Sequence, residues 1–531
     1  MKTPMVVADF LNRARLLYGD SVGAVCGGQR YTYGQIGERV DRFSAALAAG
    51  GVRKGDVVAY VSFNCHRLLE GYYAVPQIGG ILLPINIRLT PADIAYILND
   101  SGASTVVVDR ALAGLIAPIA SQLPNVKRCV LMGGDPKAEA PLPGDDYEGL
   151  IGSAKEAPTP VDIDEDDVAE LFYTSGTTAR PKGVMLTHRN LYLHSLVTAL
   201  INQSNDADVV LHSIPLFHVN GWGTPHSLTM LGGRHVMVPR FDPELVLETI
   251  ERERCTAAFF VPTMAIGLMA APSWPTRDLT SLRVLMLGGA ATPPSLMRAL
   301  DQRLPGCTLR CGYGLSETTP VMSIACLKSG RQLDVEQSLA VRTTAGMPLP
   351  SVEVAILDDE GKPLPHDGTS VGEICTRGNT VFKGYWRQPE ETAKFIVDGW
   401  FHTGDMGYMD SEGYISIVDR KKDIIITGGE NVASIEIEKA IYEHPAVLEC
   451  AVIGVPDERW GEIPAAIIVL KPGQALDEAG VIEHCRTRLA GFKMPKAVRF
   501  VDALPKGGTG KILKRELRAG FVKEPSAAPA S

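Results

Sequence analysis

The sequence predicts an α/β protein with a large N-terminal domain and a small α+β C-terminal domain. The large domain divides into two α/β subdomains and a smaller antiparallel β subdomain. Three observations predict this. The chain has 531 residues, more than one hydrophobic core accommodates. Helix and strand patterns alternate through its first two thirds, as in parallel sheets with helical crossovers. From about Gly346 the pattern changes to short strands joined by turns, and after Lys422 to a compact mixed unit. The boundaries that follow are 1–421 for the N-terminal domain, with its β-rich part at about 346–421, and 422–531 for the C-terminal domain.

The elements follow in order. "YTYGQIGERVDRFSAALAAGGV" puts Ile36, Val40, Phe43, Ala46 and Leu47 on one helical face, and Gly50-Gly51 ends it. "DVVAYVSF" is a short apolar strand, and "ADIAYILNDSG" then "STVVVD" repeat helix and strand. The Gly, Pro and acid content of Gly133–Asp167 reads as a solvated connection. "VAELFY" and "GVMLTH" are strands, and Thr187 is placed to cap the helix "HRNLYLHSLVTALI". Strand patterns return in "VVLHSIPLF", "RHVMVP", "CTAAFFVP" and "SLRVLMLGG". "VEVAILDDEGKPLP", "VGEICTRG" and "YMDSEGYISIVDR" read as antiparallel strands. The last unit has the helices "SIEIEKAIYEH" and "AGVIEHCRTRLA", the strands "LECAVIGV" and "AAIIVL", and the ending "LPKGGTGKILKREL".

Composition excludes several classes of function. Apolar residues make up 45% and charged residues 21%, with a net charge of −9. No long basic block is present, so nucleic acid is not an expected partner. The N-terminus lacks the apolar core of a signal peptide, and no apolar run reaches membrane-spanning length. The ten cysteines have no repeated spacing. The pair Cys307 and Cys311 has no second pair to complete a zinc site. Free thiols in a reducing cytoplasm are the expectation. The ending "EPSAAPAS" reads as a disordered tail without a targeting address.

Five short stretches carry the chemistry. "TSGTTARPKG" follows a strand with Thr174, Ser175, Gly176, Thr177 and Thr178, whose hydroxyls and backbone N–H groups suit an anion-binding concavity. Lys182 adds a mobile cation for phosphate. The stretch is not a P-loop, since G-x-x-x-x-G-K-[ST] is absent. "GYGLSETT" (Gly312–Thr319), "WFHTGD" (Trp400–Asp405), "DRKKDIIITGGEN" (Asp419–Asn431) and "PKGGTGK" (Pro505–Lys511) follow in that order. Any one alone reads as a turn. The set of five is far more specific.

With these stretches the chain resembles the adenylate-forming superfamily of acyl-CoA synthetases, luciferases and peptide-synthetase adenylation domains, over nearly its whole length. "VNGWG" makes it most similar to medium- and long-chain fatty acyl-CoA ligases. The resemblance implies a two-step reaction using ATP, Mg2+ and CoA. A carboxylate attacks the α-phosphate of ATP and releases pyrophosphate, and the CoA thiol then displaces AMP. An anion must approach a polyanion, so catalysis is positioning and charge neutralisation.

The resemblance also implies residue roles. Lys511 is the catalytic lysine bridging the carboxylate and the α-phosphate, acting with His218 and Glu317. Glu317 and Thr174 hold Mg2+, and Ser316 donates to the α-phosphate where many relatives have Thr. Gly289, Ala290, Gly312 and Tyr313 surround adenine, with Tyr313 stacking on it. Asp405 accepts from the ribose hydroxyls, and Arg420 donates to the ribose or phosphates. Lys422 is the hinge on which the C-terminal domain turns between half-reactions. Turning brings Gly428, Gly429 and Glu430 to the CoA channel. Two departures stand out: Ala179, where relatives carry Gly, and Ile426, where many carry Lys.

The implied acyl site is His218, Trp222, Val261, Met264 and Gly288. His218 stands where amino-acid-activating relatives place Asp, and it offers no fixed negative charge for a substrate ammonium. "FFVPTMAIGLMA" (259–270) forms an apolar wall. The expected substrate is an apolar monocarboxylic acid, a medium- or long-chain fatty acid. The alternatives are an aryl or short acid, loading of a carrier protein, or a protein that has lost catalysis. A homodimer and a cytoplasmic location complete the expectations.

Overall fold

The structure is a computed structural model that describes residues 3–137, 139–154, 157–174, 180–457, 459–507 and 511–523. Ser175, Gly176, Thr177, Thr178 and Ala179 lie outside the described residues, as do Gly508, Thr509 and Gly510.

Two large sheets form the body. One has eight strands, in the order Gly384–Tyr385, Lys182–Thr187, Val168–Thr174, Ile81–Pro84, Val57–Val61, Thr105–Asp109, Arg128–Met132 and Asp145–Asp146. The other has nine, and its centre is a parallel run of Thr308–Tyr313, Val284–Gly288, Ala257–Phe260, Val209–His212 and Arg234–Met237. The central strands are buried on both faces, which is why they read as continuous apolar runs rather than alternations. Val57–Val61 and Val284–Gly288 are buried at every position.

A third sheet is antiparallel and contains Val352–Leu357, Gly372–Gly378, Trp400–Met409 and Ile415–Arg420. A fourth belongs to the smaller C-terminal domain, with Ile425–Thr427, Glu430–Val432, Val447–Asp457, Gly461–Leu470 and Ala497–Phe500. The third sheet ends at Arg420 and the fourth begins at Ile425, with Lys422 between them.

Local signals explain where the helices start. The helix His188–Asn202 opens on Thr187, whose hydroxyl accepts from the Asn190 N–H while the Asn190 side chain returns to the Thr187 N–H. This reciprocal cap satisfies two otherwise unpaired donors. Thr32 and Thr90 cap Tyr33–Ala49 and Pro91–Ser101 in the same way.

Two features differ from the sequence reading. The segment Gly133–Asp167 contains a short strand, Asp145–Asp146, and a helix, Tyr147–Ser153. Tyr147 is fully buried and donates to Glu70 Oε2 at 2.7 Å, so this connection is anchored in the core. The sequence reading also passed over the strand Val22–Cys26, which joins the edge of the nine-stranded sheet between parallel Arg234–Met237 and antiparallel Gln29–Thr32.

Candidate active site at the carboxyl ends of the parallel strands

Three adjacent parallel strands of the nine-stranded sheet end side by side at Tyr313, Gly288 and Phe260. Open α/β sheets bind ligands beyond the carboxyl ends of their strands. Here those ends deliver Gly312 and Tyr313, then Gly288 and Gly289, then Val261. A fourth contribution is Trp222, from the segment after Val209–His212.

Close approach explains the glycines. A Cβ on Gly288 would lie 2.9 Å from the Gly312 carbonyl and 3.0 Å from the Trp222 ring. A Cβ on Gly289, whose φ is +79°, would lie 3.2 Å from Val261 and 3.3 Å from Lys511 Cε. The site therefore brings together Gly288, Gly289, Val261, Trp222 and Lys511. Met264 is buried in the following helix, Pro262–Met269, and Trp222 meets Phe259 edge-on at 6.3 Å.

A second cluster faces this wall. Asp405 and Arg420 are paired opposite each other in the antiparallel ladder, which puts their side chains on one face. Arg420 Nε donates to Asp405 Oδ1 at 2.6 Å, and the Tyr313 hydroxyl donates to Asp405 Oδ2 at 2.7 Å. Burial raises the Asp405 carboxyl above its ordinary value, against the pull of Arg420, Tyr313 and Lys511.

Lys511 reaches the site from the C-terminal domain. Its carbonyl accepts from the Gly507 N–H at 2.8 Å. Burial, and then the Arg420 guanidinium, push its ammonium down to about 8, while Asp405 and Glu317 oppose the shift. His218 is pushed down to about 3 by burial, with Lys511 adding to the effect. It is a neutral imidazole at physiological pH.

Glu317 sits in the short turn Ser316–Thr318, buried, and its Oε1 accepts from the Tyr385 hydroxyl at 2.9 Å. Burial raises its pKa. A desolvated carboxylate of this kind gains from a cation, and one carboxylate with the Thr174 hydroxyl suits Mg2+, which takes oxygen ligands and keeps phosphates and waters for the rest. Lys182 is not a free cation here. It is paired with Glu391 and lies 4.6 Å over the Phe395 ring. Ser316 is buried, and Ala290 directly follows Gly289 on the same loop.

The Gly428-Gly429 turn lies elsewhere. It joins Ile425–Thr427 to Glu430–Val432 with φ of +61° and +86°, the backbone that two-residue hairpin turns require. Gly428, Gly429 and Glu430 are exposed, and Gly428 packs on Trp460. Lys511 is thus inserted while the expected CoA segment is exposed.

Sequence reasoning missed Tyr385 and Glu391, which hold Glu317 and Lys182. Both lie in "GYWRQPEET", whose aromatics and paired acids were a readable signal. It also missed the support of the C-terminal loop. Lys514 pairs with Glu438 at 2.8 Å and donates to Ser434 Oγ at 2.6 Å, and Ser434 donates to Asp419.

The AMP-binding enzyme family matches residues 12–386, and the AMP-binding enzyme C-terminal domain matches residues 436–511. The chain is 39% identical to a feruloyl-CoA synthase of Amycolatopsis sp over 93% of its length and 95% of that protein. It is 38% identical to a long-chain-fatty-acid–CoA ligase of Thermus thermophilus, over 97% and 95% of the two chains. It superimposes on an anthranilate CoA ligase solved with anthranoyl-AMP at a TM-score of 0.89, with 27% identity, covering 98% and 99% of the two chains. The chain belongs to the AMP-binding, adenylate-forming enzyme family of acid–CoA ligases.

Proposed function

We propose that this AMP-forming acid–CoA ligase activates an apolar monocarboxylic acid, in the medium- to long-chain fatty acid range. The observation that carries the reading is the meeting of Lys511 with Gly289, Val261 and Trp222 on one side and the Asp405–Arg420–Tyr313 cluster on the other. The wall is apolar and the neutral His218 provides no anion for a substrate ammonium. The enzyme uses ATP, Mg2+ and CoA.

In the first half-reaction the acid lies along Trp222, Val261, Met264 and Gly288, with its carboxylate toward Lys511 and His218. The Lys511 ammonium bridges the carboxylate and the α-phosphate, neutralising charge that grows in the transition state. Ala290 and Gly312 flank adenine and Tyr313 covers it, while Asp405 and Arg420 hold the ribose. Ser316 donates to the α-phosphate. Thr174, Ser175, Gly176, Thr177 and Thr178 cradle the β- and γ-phosphates, with Lys182 turning from Glu391 toward them. Glu317 and Thr174 would hold Mg2+, which would supply charge neutralisation to the phosphates. In the second half-reaction rotation at Lys422 withdraws Lys511 and presents Gly428, Gly429 and Glu430 to pantetheine.

A second reading is an aryl acid. The Trp222 ring lies against Gly288 and Gly289 and offers an aromatic face beside them, and the feruloyl- and anthranilate-activating relatives favour an aryl substrate. One experiment separates these. The protein is incubated with ATP, Mg2+ and either octanoate, palmitate, benzoate or ferulate, with and without CoA. Pyrophosphate and thioester formed from octanoate or palmitate support the first reading, and from ferulate or benzoate the second. Pyrophosphate without thioester points to a carrier protein, and no pyrophosphate from any acid favours the reading that catalysis has been lost.

A further inference from the structure

Trp222 stands at the end of an unusual backbone. Five consecutive residues, Val219, Asn220, Gly221, Trp222 and Gly223, have φ of +39°, +42°, +53°, +65° and +84°. This is a left-handed turn, which strains each non-glycine residue in it. Valine, branched at Cβ, is among the least suited to it. Such a conformation persists only where its surroundings over-determine it.

The surroundings do so through buried polar groups. Glu170, Asn220 and His226 are each fully buried. Asn220 Nδ2 donates to Glu170 Oε2 at 2.9 Å, and the Gly223 N–H donates to Asn220 Oδ1 at 2.6 Å. The Asn220 amide thus closes the turn on one side and ties it to the sheet on the other. Glu170 Oε1 lies 2.5 Å from His226 Nε2, in the helix that follows the turn, Thr224–Leu231. Tyr72 and Tyr73 meet the His226 ring edge-on at 5.7 and 5.6 Å. Thr224 Oγ1 donates to the Gly221 carbonyl at 2.9 Å and lies 3.3 Å from His212 Nδ1. One carboxylate therefore holds both ends of the segment that carries Trp222.

We propose that Glu170 is a positioning residue for the acid substrate: through Asn220 and His226 it fixes the left-handed turn that sets the Trp222 ring against Gly288 and Gly289, and so fixes the shape of the acyl pocket. This rests on Trp222 lining that pocket. A carboxylate suits the role because both partners present N–H groups and Asn220 cannot turn over without losing Gly223. Glutamine can replace it. The glutamine oxygen would accept from Asn220, leaving its NH2 toward His226 Nε2. His226 can accept by moving its own proton to Nδ1, which has no partner among the described residues. Leucine, of similar size, replaces neither bond.

The test is the KM for octanoate and for ferulate in ATP-dependent pyrophosphate release by the full chain, alongside the KM for ATP. Glu170→Leu and Asn220→Gly should each raise the KM for the acid at least tenfold while the KM for ATP stays within twofold. Glu170→Gln should stay within threefold of the parent for both substrates. Asn220→Gly decides the matter where Glu170→Leu does not fold, since glycine adopts the left-handed backbone freely and loses only the amide. Unchanged acid KM in Asn220→Gly, with Trp222→Ala raising it, overturns the positioning role and leaves the pocket assignment standing. Unchanged acid KM in Trp222→Ala as well overturns the pocket assignment and the proposal with it. Equal impairment of Glu170→Gln and Glu170→Leu also overturns it.

Discussion

Arg420 Nε donates to Asp405 Oδ1 at 2.6 Å from the directly opposing position of the antiparallel ladder. With the Tyr313 hydroxyl on the other oxygen, Asp405 holds one group from each of two sheets in a fixed orientation. The pair also sets the electrostatics of Lys511, because Arg420 lowers the lysine pKa and Asp405 raises it.

A pH dependence follows. The bridging role requires the ammonium form of Lys511, whose pKa is pushed down to about 8. As pH rises through that value the cation is lost, so kcat/KM for acid-dependent pyrophosphate release should fall on the alkaline side of about pH 8. The free-enzyme pKa governs kcat/KM. Asp405→Asn removes an anion that supports the cation, so its alkaline limb should move to lower pH. The KM for ATP should rise at least about tenfold, as a desolvated hydrogen bond to a charged partner is worth about 1.5–3 kcal/mol. An alkaline limb that stays in place in Asp405→Asn would separate the two residues.

The two half-reactions should part at Lys511. Lys511→Ala should lower pyrophosphate release at least a hundredfold while leaving thioester formation from supplied acyl adenylate and CoA within about threefold. Charge stabilisation by one preorganised donor is worth about that much. The check is single-turnover kinetics of each half-reaction. Equal loss in both would mean that Lys511 serves the site in only one arrangement.

What was legible in the sequence divides along physical lines. Tyr313, Gly288, Asp405 and Lys511 stand out in the sequence because each lies in a short stretch of unusual composition, and local composition is what a single sequence displays. Glu170 could not, since it occupies an unremarkable position in an apolar strand and its meaning comes from Asn220, 50 residues away. The helix Tyr147–Ser153 was obscured by the Gly, Pro and acid around it. Its capping aspartate, Asp146, which accepts from the Gly149 N–H at 2.8 Å, was the signal that could have revealed it. The residues 175–179, including Ala179, lie outside the described structure.

The exposed Gly428-Gly429 turn offers a test of the second half-reaction. Gly429 has φ of +86°, and a Cβ there would meet nothing within 4 Å. Gly429→Ala therefore carries backbone strain alone, roughly 1–2 kcal/mol, and should leave adenylation unchanged. Gly429→Leu adds bulk where pantetheine is proposed to pass. It should lower thioester formation from acyl adenylate at least tenfold further than alanine, with pyrophosphate release still near the parent rate. Similar thioester rates in the two variants would remove Gly429 from the channel.

The final prediction concerns stability and returns to the anchored connection. Glu70 is fully buried and accepts from Arg39 at 2.6 and 3.2 Å and from Tyr147 at 2.7 Å. Burial raises its pKa, against Arg39 and Tyr147. Glu70→Ala leaves the largely buried Arg39 facing an emptied site, and loss of one partner of a buried ion pair costs about 3–5 kcal/mol. The salt bridges from Glu148 to Arg39 and Arg67 compensate in part, so about 3 kcal/mol is expected. Tyr147→Phe keeps the ring against Phe43 and removes one hydrogen bond, costing about 1 kcal/mol. Urea unfolding followed by intrinsic fluorescence should rank the parent above Tyr147→Phe and that above Glu70→Ala. Glu70→Ala no less stable than Tyr147→Phe would mean that the Arg39–Glu148 contact alone holds the connection.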